Sequence, residues 1–78
     1  MKTGISVHDA MTTKPVVAHT QDTIKYCAKK MRDSDVGSII IVDKNIPVGI
    51  ISEKDIVERV VAKGLDPNKI KARAIMVK

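Results

Sequence analysis

Two apolar runs dominate the pattern of hydrophobic and polar positions in this chain. They are Ser38–Asp43 and residues 46–51, and the polar pair Lys44 and Asn45 separates them. Both runs are β-branched and nearly continuous, which is typical of strands that are covered on both faces. A two-residue connection predicts that the strands are antiparallel neighbours, with Asn45 the residue best suited to a positive φ. We therefore expect a β-hairpin at the centre of the fold.

An amphipathic helix is predicted directly after this hairpin. Ser52 fits an N-cap, because its hydroxyl can accept a hydrogen bond from a backbone N–H of the first turn. Glu53 and Asp55 then lie in that turn, where the helix dipole favours acidic residues. The helix is predicted to run to about Lys63, with Gly64 as its stop. Its apolar face is wider than the packing of one hairpin requires and comprises Ile56, Val57, Val60 and Val61.

The first half of the chain predicts two further helices and an edge strand. A short helix is expected over residues 6–11, with a serine at its start. Pro15 makes the residue before it extended, and residues 16–17 suit a short edge strand. Thr20 is then predicted to cap a long helix that ends near residues 33–35. The apolar stripe of that helix is formed by Ile24, Cys27, Ala28 and Met31.

Composition indicates one small globular domain. The chain has 78 residues, of which 44% are hydrophobic and 29% charged. A chain this short buries a modest fraction of its surface, so association with another chain is expected. Cys27, the single cysteine, is interpreted as a small buried hydrophobe. No stretch approaches the roughly 20 apolar residues that span a bilayer and no signal peptide is visible, so we predict a soluble, cytoplasmic protein.

Neither catalysis nor a metal site is indicated by the sequence. His8 and His19 have no carboxylate or thiol at catalytic or metal-ligand spacing. The chain also lacks a glycine-rich phosphate loop and a nucleophile with an adjacent base. We therefore predict that this chain is not an enzyme and that it requires no cofactor.

The charge balance is basic, with a net charge of +5. The basic residues are scattered along the sequence, and Tyr26 is the only aromatic residue. Binding of nucleic acid through stacked bases is therefore not favoured. The charge is also compatible with the attraction of polyphosphate ligands or of an acidic partner domain.

Ser52 and Asp55 allow two interpretations. They can cap the helix and do nothing more, which is a common role of such residues where a strand leads into a helix. Alternatively, Gly49 lets a small molecule approach the strand backbone, and the helix N-terminus offers N–H groups to an anion. Asp55, on the same side of the helix as Ser52, would then hold the two hydroxyls of a ribose.

Three landmarks in the same order resemble the cystathionine β-synthase (CBS) domain family. Residues 49–56 read glycine, two hydrophobic residues, serine, two further residues, aspartate and a hydrophobic residue, after a strand that ends at Asp43. Residues 7–12 (VHDAMT) and the pair Val36 and Gly37 are similar to the family's other landmarks. The resemblance covers about residues 5–63. It implies an α+β fold, a β-α-β-β-α unit with a short N-terminal helix and a small sheet packed on two helices.

The resemblance also implies a ligand site. In this family the serine and the aspartate of the motif contact the phosphate and ribose of adenosine ligands such as AMP, ATP or S-adenosylmethionine, in a cleft between two motifs. Ser52 is therefore the candidate for phosphate and Asp55 for ribose, although the charge of Glu53 would oppose a polyphosphate. Lys14 or His19 are candidates for additional phosphate contacts. The candidates for the wall against the base are Thr13, Pro15, Val36, Gly37 and Ser38.

The C-terminal residues resemble the opening of a second CBS motif. Residues 70–76 align with residues 5–11 at an offset of 65, with the same isoleucine at the start and the same methionine at the end. We therefore divide the chain into a single CBS motif over residues 1–69 and a C-terminal helical segment over residues 70–78. The alternative is a plain C-terminal helix. If the repeat holds, the chain is expected to be a fragment or a truncated member of a family that works as tandem pairs.

Pairing is expected because one motif cannot close such a cleft on itself. We predict that two copies associate through strands and helices into a homodimer that resembles one tandem pair. The leading function is then a regulatory module that senses an adenosine ligand and controls an attached or partner domain. The alternative is a ligand-free dimerisation or interaction module. A small basic DNA-associated protein is a third hypothesis, and its binding would fall steeply with salt.

Overall fold

The computed structural model of this chain describes residues 15–78. The helix predicted over residues 6–11 and the candidate site residue Thr13 lie outside the described residues. Three strands form one sheet in the order β1-β2-β3, in which β1 is parallel to β2 and β2 is antiparallel to β3. The strands are β1 (Val17–His19), β2 (Ser38–Asp43) and β3 (Ile46–Ser52).

Helices connect and follow these strands. Helix α1 (Ile24–Ser34) joins β1 to β2, and helix α2 (Glu53–Ile56) follows β3 without an intervening loop. The chain then continues as a π-helical segment (Val57–Val61) and later forms a single helical turn, α3 (Ala72–Ile75). The predicted α+β fold with its β-α-β-β-α order is confirmed. In residues 15–78, no helix is long and apolar enough to cross a membrane.

The turn between β2 and β3 adopts the geometry that the two-residue connection predicts. Lys44 has a φ of 53° and Asn45 a φ of 66°, so both lie in the left-handed region. This is the backbone conformation of a type I′ turn, whose twist matches that of the two strands it joins. The hairpin prediction is therefore confirmed, and β3 extends one residue further than expected, to Ser52.

Helix α1 begins later than the sequence suggested, because its N-cap is Thr23 and not Thr20. The Thr23 hydroxyl accepts a hydrogen bond from the Tyr26 N–H at 3.1 Å. Thr20 instead donates its N–H to the carbonyl of Val42 at 3.2 Å, so it continues the pairing of β1 with β2. A turn closed by the Asp22 N–H and the His19 carbonyl then leads to the helix.

The core lies between one face of the sheet and the helices. The sheet contributes Ala18, Ile39, Ile41 and Ile51. The predicted stripe of α1 is confirmed at Ile24, Cys27 and Met31, which are buried, while Ala28 is half-buried. Burial raises the pKa of the Cys27 thiol to about 11, as expected for a residue that packs as a hydrophobe.

The opposite face of the sheet is not covered within residues 15–78, and here the sequence interpretation was wrong for β3. Ile51 is fully buried, but its neighbour Ile50 is 44% exposed. Side chains alternate between the two faces of a strand, and α1 and the π-helical segment pack on the Ile51 face alone. A continuous apolar run therefore does not require cover on both sides within one chain.

The helix predicted from Glu53 to Lys63 changes its winding after Ile56. In the π-helical segment the Ala62 N–H donates to the Val57 carbonyl at 2.8 Å, which spans five residues. Val60 is fully buried, while Val57 is 56% and Val61 62% exposed, so the predicted apolar face is only partly covered. Gly64 has a φ of 71°, as expected for the residue that stops a helix.

The C-terminal residues belong to the same core. Ala72 and Ile75 are buried in it. Single antiparallel bridges join Thr23 to Lys71 and Ile50 to Val77. That residues 70–78 resemble the opening of a second motif stays a prediction.

We expect Ile41→Val to lower the free energy of unfolding by about 0.5–1.5 kcal/mol, because it removes a methylene group from a fully buried site. Ile46→Val is the matched control, since Ile46 is 63% exposed and its loss should stay within about 0.5 kcal/mol. Urea denaturation of both variants measures the difference. An equal decrease of the unfolding free energy in the two variants would contradict the burial assigned to Ile41 and Ile46.

Candidate functional site

Ser52 and Asp55 are joined by two reciprocal hydrogen bonds at the junction of β3 and α2. The Asp55 N–H donates to the Ser52 hydroxyl at 3.2 Å, and the Ser52 N–H donates to Oδ2 of Asp55 at 2.9 Å. This capping box satisfies two backbone N–H groups that would otherwise lack a partner. Both candidate residues therefore have a structural role, as the first of the two sequence interpretations stated.

Each of these side chains keeps unused hydrogen-bonding capacity. The Ser52 hydroxyl accepts in the capping box, so its own hydrogen remains available for donation. At Asp55, Oδ2 accepts from Ser52, while Nε of Arg59 lies 4.0 Å from Oδ1. The hydrogen bond from the Ser52 N–H lowers the pKa of Asp55 below its ordinary value of 3.8, with smaller contributions from the Ser52 hydroxyl, Arg59 and Lys54.

The structure brings the described candidates for the wall against the base to the same edge of the sheet. Ser38 pairs with Ser52, and the Glu53 N–H donates to the Gly37 carbonyl at 3.0 Å. Val36 immediately precedes this contact and packs against the core. Pro15 lies two residues before Val17, which pairs with Ile40, so the parallel register places it beside Ser38. Residues 36–38 and 52–55 thus lie together at one edge of the sheet, with Pro15 next to them.

Glu53 contributes a negative charge to this edge. A Cβ atom placed on Gly37 would lie 3.6 Å from a carboxylate oxygen of Glu53, so the two residues are close neighbours. Glu53 forms no salt bridge with any of residues 15–78. Its charge therefore acts on whatever approaches Gly37, and it disfavours a polyphosphate there.

Gly49 does not provide the open approach that the sequence interpretation gave it. A Cβ atom at this position would lie 2.7 Å from the sulfur of Met76 and 3.0 Å from its Cβ. The missing side chain of Gly49 therefore makes room for the C-terminal segment and not for a ligand. The prediction was wrong because the residue that fills this space comes from a distant part of the chain.

His19 lies at the far end of β1 from Pro15, so it does not join the candidate site. Its N–H donates to the Asp22 carboxylate at 2.8 Å, and its ring nitrogen Nδ1 lies 3.6 Å from the same oxygen. The alternative phosphate contact, Lys14, lies outside the described residues. Among residues 15–78, no group of three or more His, Cys, Asp or Glu side chains could hold a metal ion.

Arg59 is the residue of this site that the sequence interpretation missed. Its Nη1 donates to the carbonyl of Ile75 at 3.1 Å, while its Nε faces Asp55. The spacing of four residues between Asp55 and Arg59 was the available signal, because residues four apart on a helix are neighbours. The contact with Ile75 left no signal in the local pattern.

We expect part of the stability of this protein to depend on the charge of Asp55. The pKa of Asp55 is depressed in the folded state, so its contribution is fully present above the unfolded-state pKa near 3.9 and is lost as the pH falls through the folded-state value. Asp55→Asn should therefore cost about 0.5–1 kcal/mol at pH 7 and progressively less below about pH 4.

Urea denaturation between pH 7 and pH 2 measures this difference. Thr23→Ala is the control, because it removes the cap of α1 through a hydroxyl that does not titrate in this range. A difference between Asp55→Asn and the wild type that stays constant over the whole range would contradict the prediction.

Comparison with known proteins agrees with this architecture. The family model described as CBS domain matches residues 7–62. An uncharacterized protein from Methanopyrus kandleri is 37% identical over 74 residues, which cover 94% of this chain and 38% of that relative. The chain thus spans less than half of the length of this curated relative.

Solved structures with the same fold include several that are at least 30% identical in sequence. A cystathionine β-synthase domain protein fused to a Zn-ribbon-like domain superposes with a TM-score of 0.79 at 34% identity, covering 83% of this chain and 93% of that one. The hexameric CBS-CP12 protein from bloom-forming cyanobacteria has a TM-score of 0.76 at 30% identity, covering 86% and 40% of the two chains. With most of its length matched in both sequence and fold, this chain belongs to the CBS domain family.

Proposed function

We propose that this chain is a regulatory module that binds an adenosine ligand, such as AMP, ATP or S-adenosylmethionine, in a cleft completed by a second CBS motif. The observation that carries the proposal is the convergence of residues 36–38 and 52–55 on one edge of the sheet. Oδ1 of Asp55 is an acceptor suited to ribose hydroxyls, and the Ser52 hydroxyl is a donor suited to a phosphate oxygen.

A second motif is required because the edge is a half-site. Residues 36–38 and 52–55 are bordered on one side by the sheet, and Ser52 is only half-buried. Family membership supports the second half being another copy of the same fold. We propose that two copies of this chain supply the two halves, and that ligand binding stabilises the pair.

The face of the sheet that residues 15–78 leave uncovered is the proposed pairing surface. Residues directly opposite in a sheet share a face, so Ser38 and Ser52 lie on the same side as the apolar pair Ile40 and Ile50. Val17 extends this row on β1, and a bridge to Ile50 adds the C-terminal valine Val77. A partner docked on this row would also reach the half-site at its end.

We expect AMP, ATP or S-adenosylmethionine to raise the thermal midpoint of the wild-type chain. A ligand at a hundred times its dissociation constant adds about 2.7 kcal/mol, which corresponds to a rise of roughly 10–20 °C for a domain of this size. Asp55→Ala should abolish the rise, because it removes the proposed ribose acceptor. Differential scanning fluorimetry with each ligand, and with GTP for comparison, measures it.

Thr23→Ala is the matched control for this experiment. It also removes a helix cap, so it should lower the midpoint by itself while leaving the ligand-induced rise intact. The absence of a rise with all three adenosine ligands would exclude the proposed ligand class. A rise that survives in Asp55→Ala would exclude the proposed role of Asp55.

A ligand-free dimerisation module is the second candidate function, and the capping box favours it. Ser52 and Asp55 already satisfy each other, so their presence is explained without a ligand. Both functions require the pairing surface. The thermal experiment therefore separates the ligand-binding module from the ligand-free module. The oligomeric state tests the pairing that both functions require.

We expect the chain to form a dimer that Ile50→Asp weakens about tenfold or more, because the substitution places a charge within the proposed pairing surface. Val57→Asp is the matched control, since Val57 is 56% exposed on the helical side, away from the sheet row. Analytical ultracentrifugation at several concentrations measures both. A monomeric wild type would contradict pairing. Weaker dimerisation of Val57→Asp with unchanged dimerisation of Ile50→Asp would show that the interface is formed by the helices.

A further inference from the structure

Backbone hydrogen bonds join residues 70–77 to the start of α1 and to β3. The Ile24 N–H donates to the Ile70 carbonyl at 2.9 Å, and the Ala72 N–H donates to the Asp22 carbonyl at 2.8 Å. At the other end, Ile50 and Val77 exchange two backbone hydrogen bonds of 2.9 Å each. This C-terminal segment therefore extends the sheet beyond β3 by one residue, and it is held by these backbone hydrogen bonds together with the buried side chains of Ala72 and Ile75.

One side chain connects this segment to the candidate site. Nη1 of Arg59 donates to the Ile75 carbonyl at 3.1 Å. Nε of the same guanidinium lies 4.0 Å from Oδ1 of Asp55, the carboxylate oxygen that the capping box leaves free. Arg59 thus lies between the proposed ribose acceptor and the backbone of the C-terminal segment.

The distance of 4.0 Å between Arg59 and Asp55 is longer than a hydrogen bond. An arginine four residues after an aspartate on a helix can reach the carboxylate directly, and a two-pronged contact would be the stronger arrangement. Instead, Nη1 of the same guanidinium donates to the Ile75 carbonyl. With the segment docked, Arg59 therefore makes no hydrogen bond to Oδ1 of Asp55.

We propose that Arg59 is a positioning residue through which docking of the C-terminal segment keeps Asp55 available to a ligand. When residues 70–77 leave the sheet edge, the Ile75 carbonyl leaves with them, and Arg59 closes onto Oδ1 of Asp55. The guanidinium then occupies the acceptor that the ribose hydroxyls need. The ligand part of this inference rests on the proposed function, whereas the movement of Arg59 does not.

Segment docking and ligand binding are therefore linked in both directions. If the docked segment raises ligand affinity by some factor, the ligand raises the stability of the docked segment by the same factor. A partly exposed ion pair of this kind competes with a ligand only modestly, by about two- to fivefold in affinity. A partner that pulls on residues 70–77 would therefore weaken ligand binding by a similar factor.

The first test needs no ligand. Wild type is compared with a series in which the segment is progressively loosened: Gly49→Ala and Gly49→Val, which push against Met76, and Ile75→Ala, which removes the buried side chain of the segment. Hydrogen exchange of the Val77 amide ranks the proteins by opening of the segment. The titration of Asp55, followed by NMR of its carboxyl carbon, reports the approach of Arg59.

We expect the pKa of Asp55 to fall in the order in which the segment opens, because the guanidinium moves closer to the carboxylate. Arg59→Met, added to each variant, should abolish the fall, while Lys54, the other cation near Asp55, is unchanged throughout. A pKa of Asp55 that is the same across the series, or that falls equally with Met at position 59, overturns the proposal.

The second test uses AMP as the probe and isothermal titration calorimetry as the readout. We expect Ile75→Ala to weaken AMP binding about two- to fivefold, and Ile75→Ala with Arg59→Met to recover the affinity of Arg59→Met alone. If Ile75→Ala lowers the affinity for AMP by the same factor with Arg or with Met at position 59, the link between Arg59 and the ligand is overturned. If the wild type does not bind AMP or another adenosine ligand, the proposed function fails, and the titration series still decides the movement of Arg59.

Discussion

Packing of the isoleucine side chains of β2 and β3 against the helices is the constraint on which the rest of the structure depends. Ile39, Ile41 and Ile51 are at most 1% exposed, and they meet α1 and Val60 on one face of the sheet. Within residues 15–78, no helix covers the other face of the sheet. The arrangement that creates the core therefore also leaves an apolar row on the outside, centred on Ile50.

The geometry of the candidate site follows from the same hairpin. Because β3 runs into α2 without a loop, Ser52 is both the last residue of a strand and the cap of a helix. Its pairing with Ser38 fixes the start of α2 relative to residues 36–38. Asp55 is then oriented by its hydrogen bond from the Ser52 N–H, so one carboxylate oxygen belongs to the capping box and the other does not. A rigid sheet edge, and not a flexible loop, thus holds the proposed ligand contacts.

The C-terminal segment adds a tertiary link to this local unit. Met76 fills the space beside Gly49, Val77 pairs with Ile50, and the carbonyl of Ile75 holds Arg59. Each of these contacts reaches β3 or the helix that follows it, which carry the candidate site. The buried side chains of Ala72 and Ile75 join the segment to the core as well, so its docking and the packing of the core are coupled.

Local patterns in the sequence determined the elements and the centre of the site. The turn at Lys44 and Asn45 and the capping box of Ser52 and Asp55 depend on residues within a few positions of one another, so they could be recognised without a structure. The choice between Thr20 and Thr23 as the cap of α1 could not, because the pairing of Thr20 with β2 decides it.

Tertiary structure alone decided which side of each element is covered and what fills the space around the site. The exposure of Ile50, the occupation of the space beside Gly49 by Met76 and the direction of Arg59 all depend on residues distant in sequence. Hydrophobic periodicity predicts that a position packs on an apolar face, but it does not predict which residue packs against that position. That partner is chosen by the packing of the whole chain, which is why these features emerged only from the folded structure.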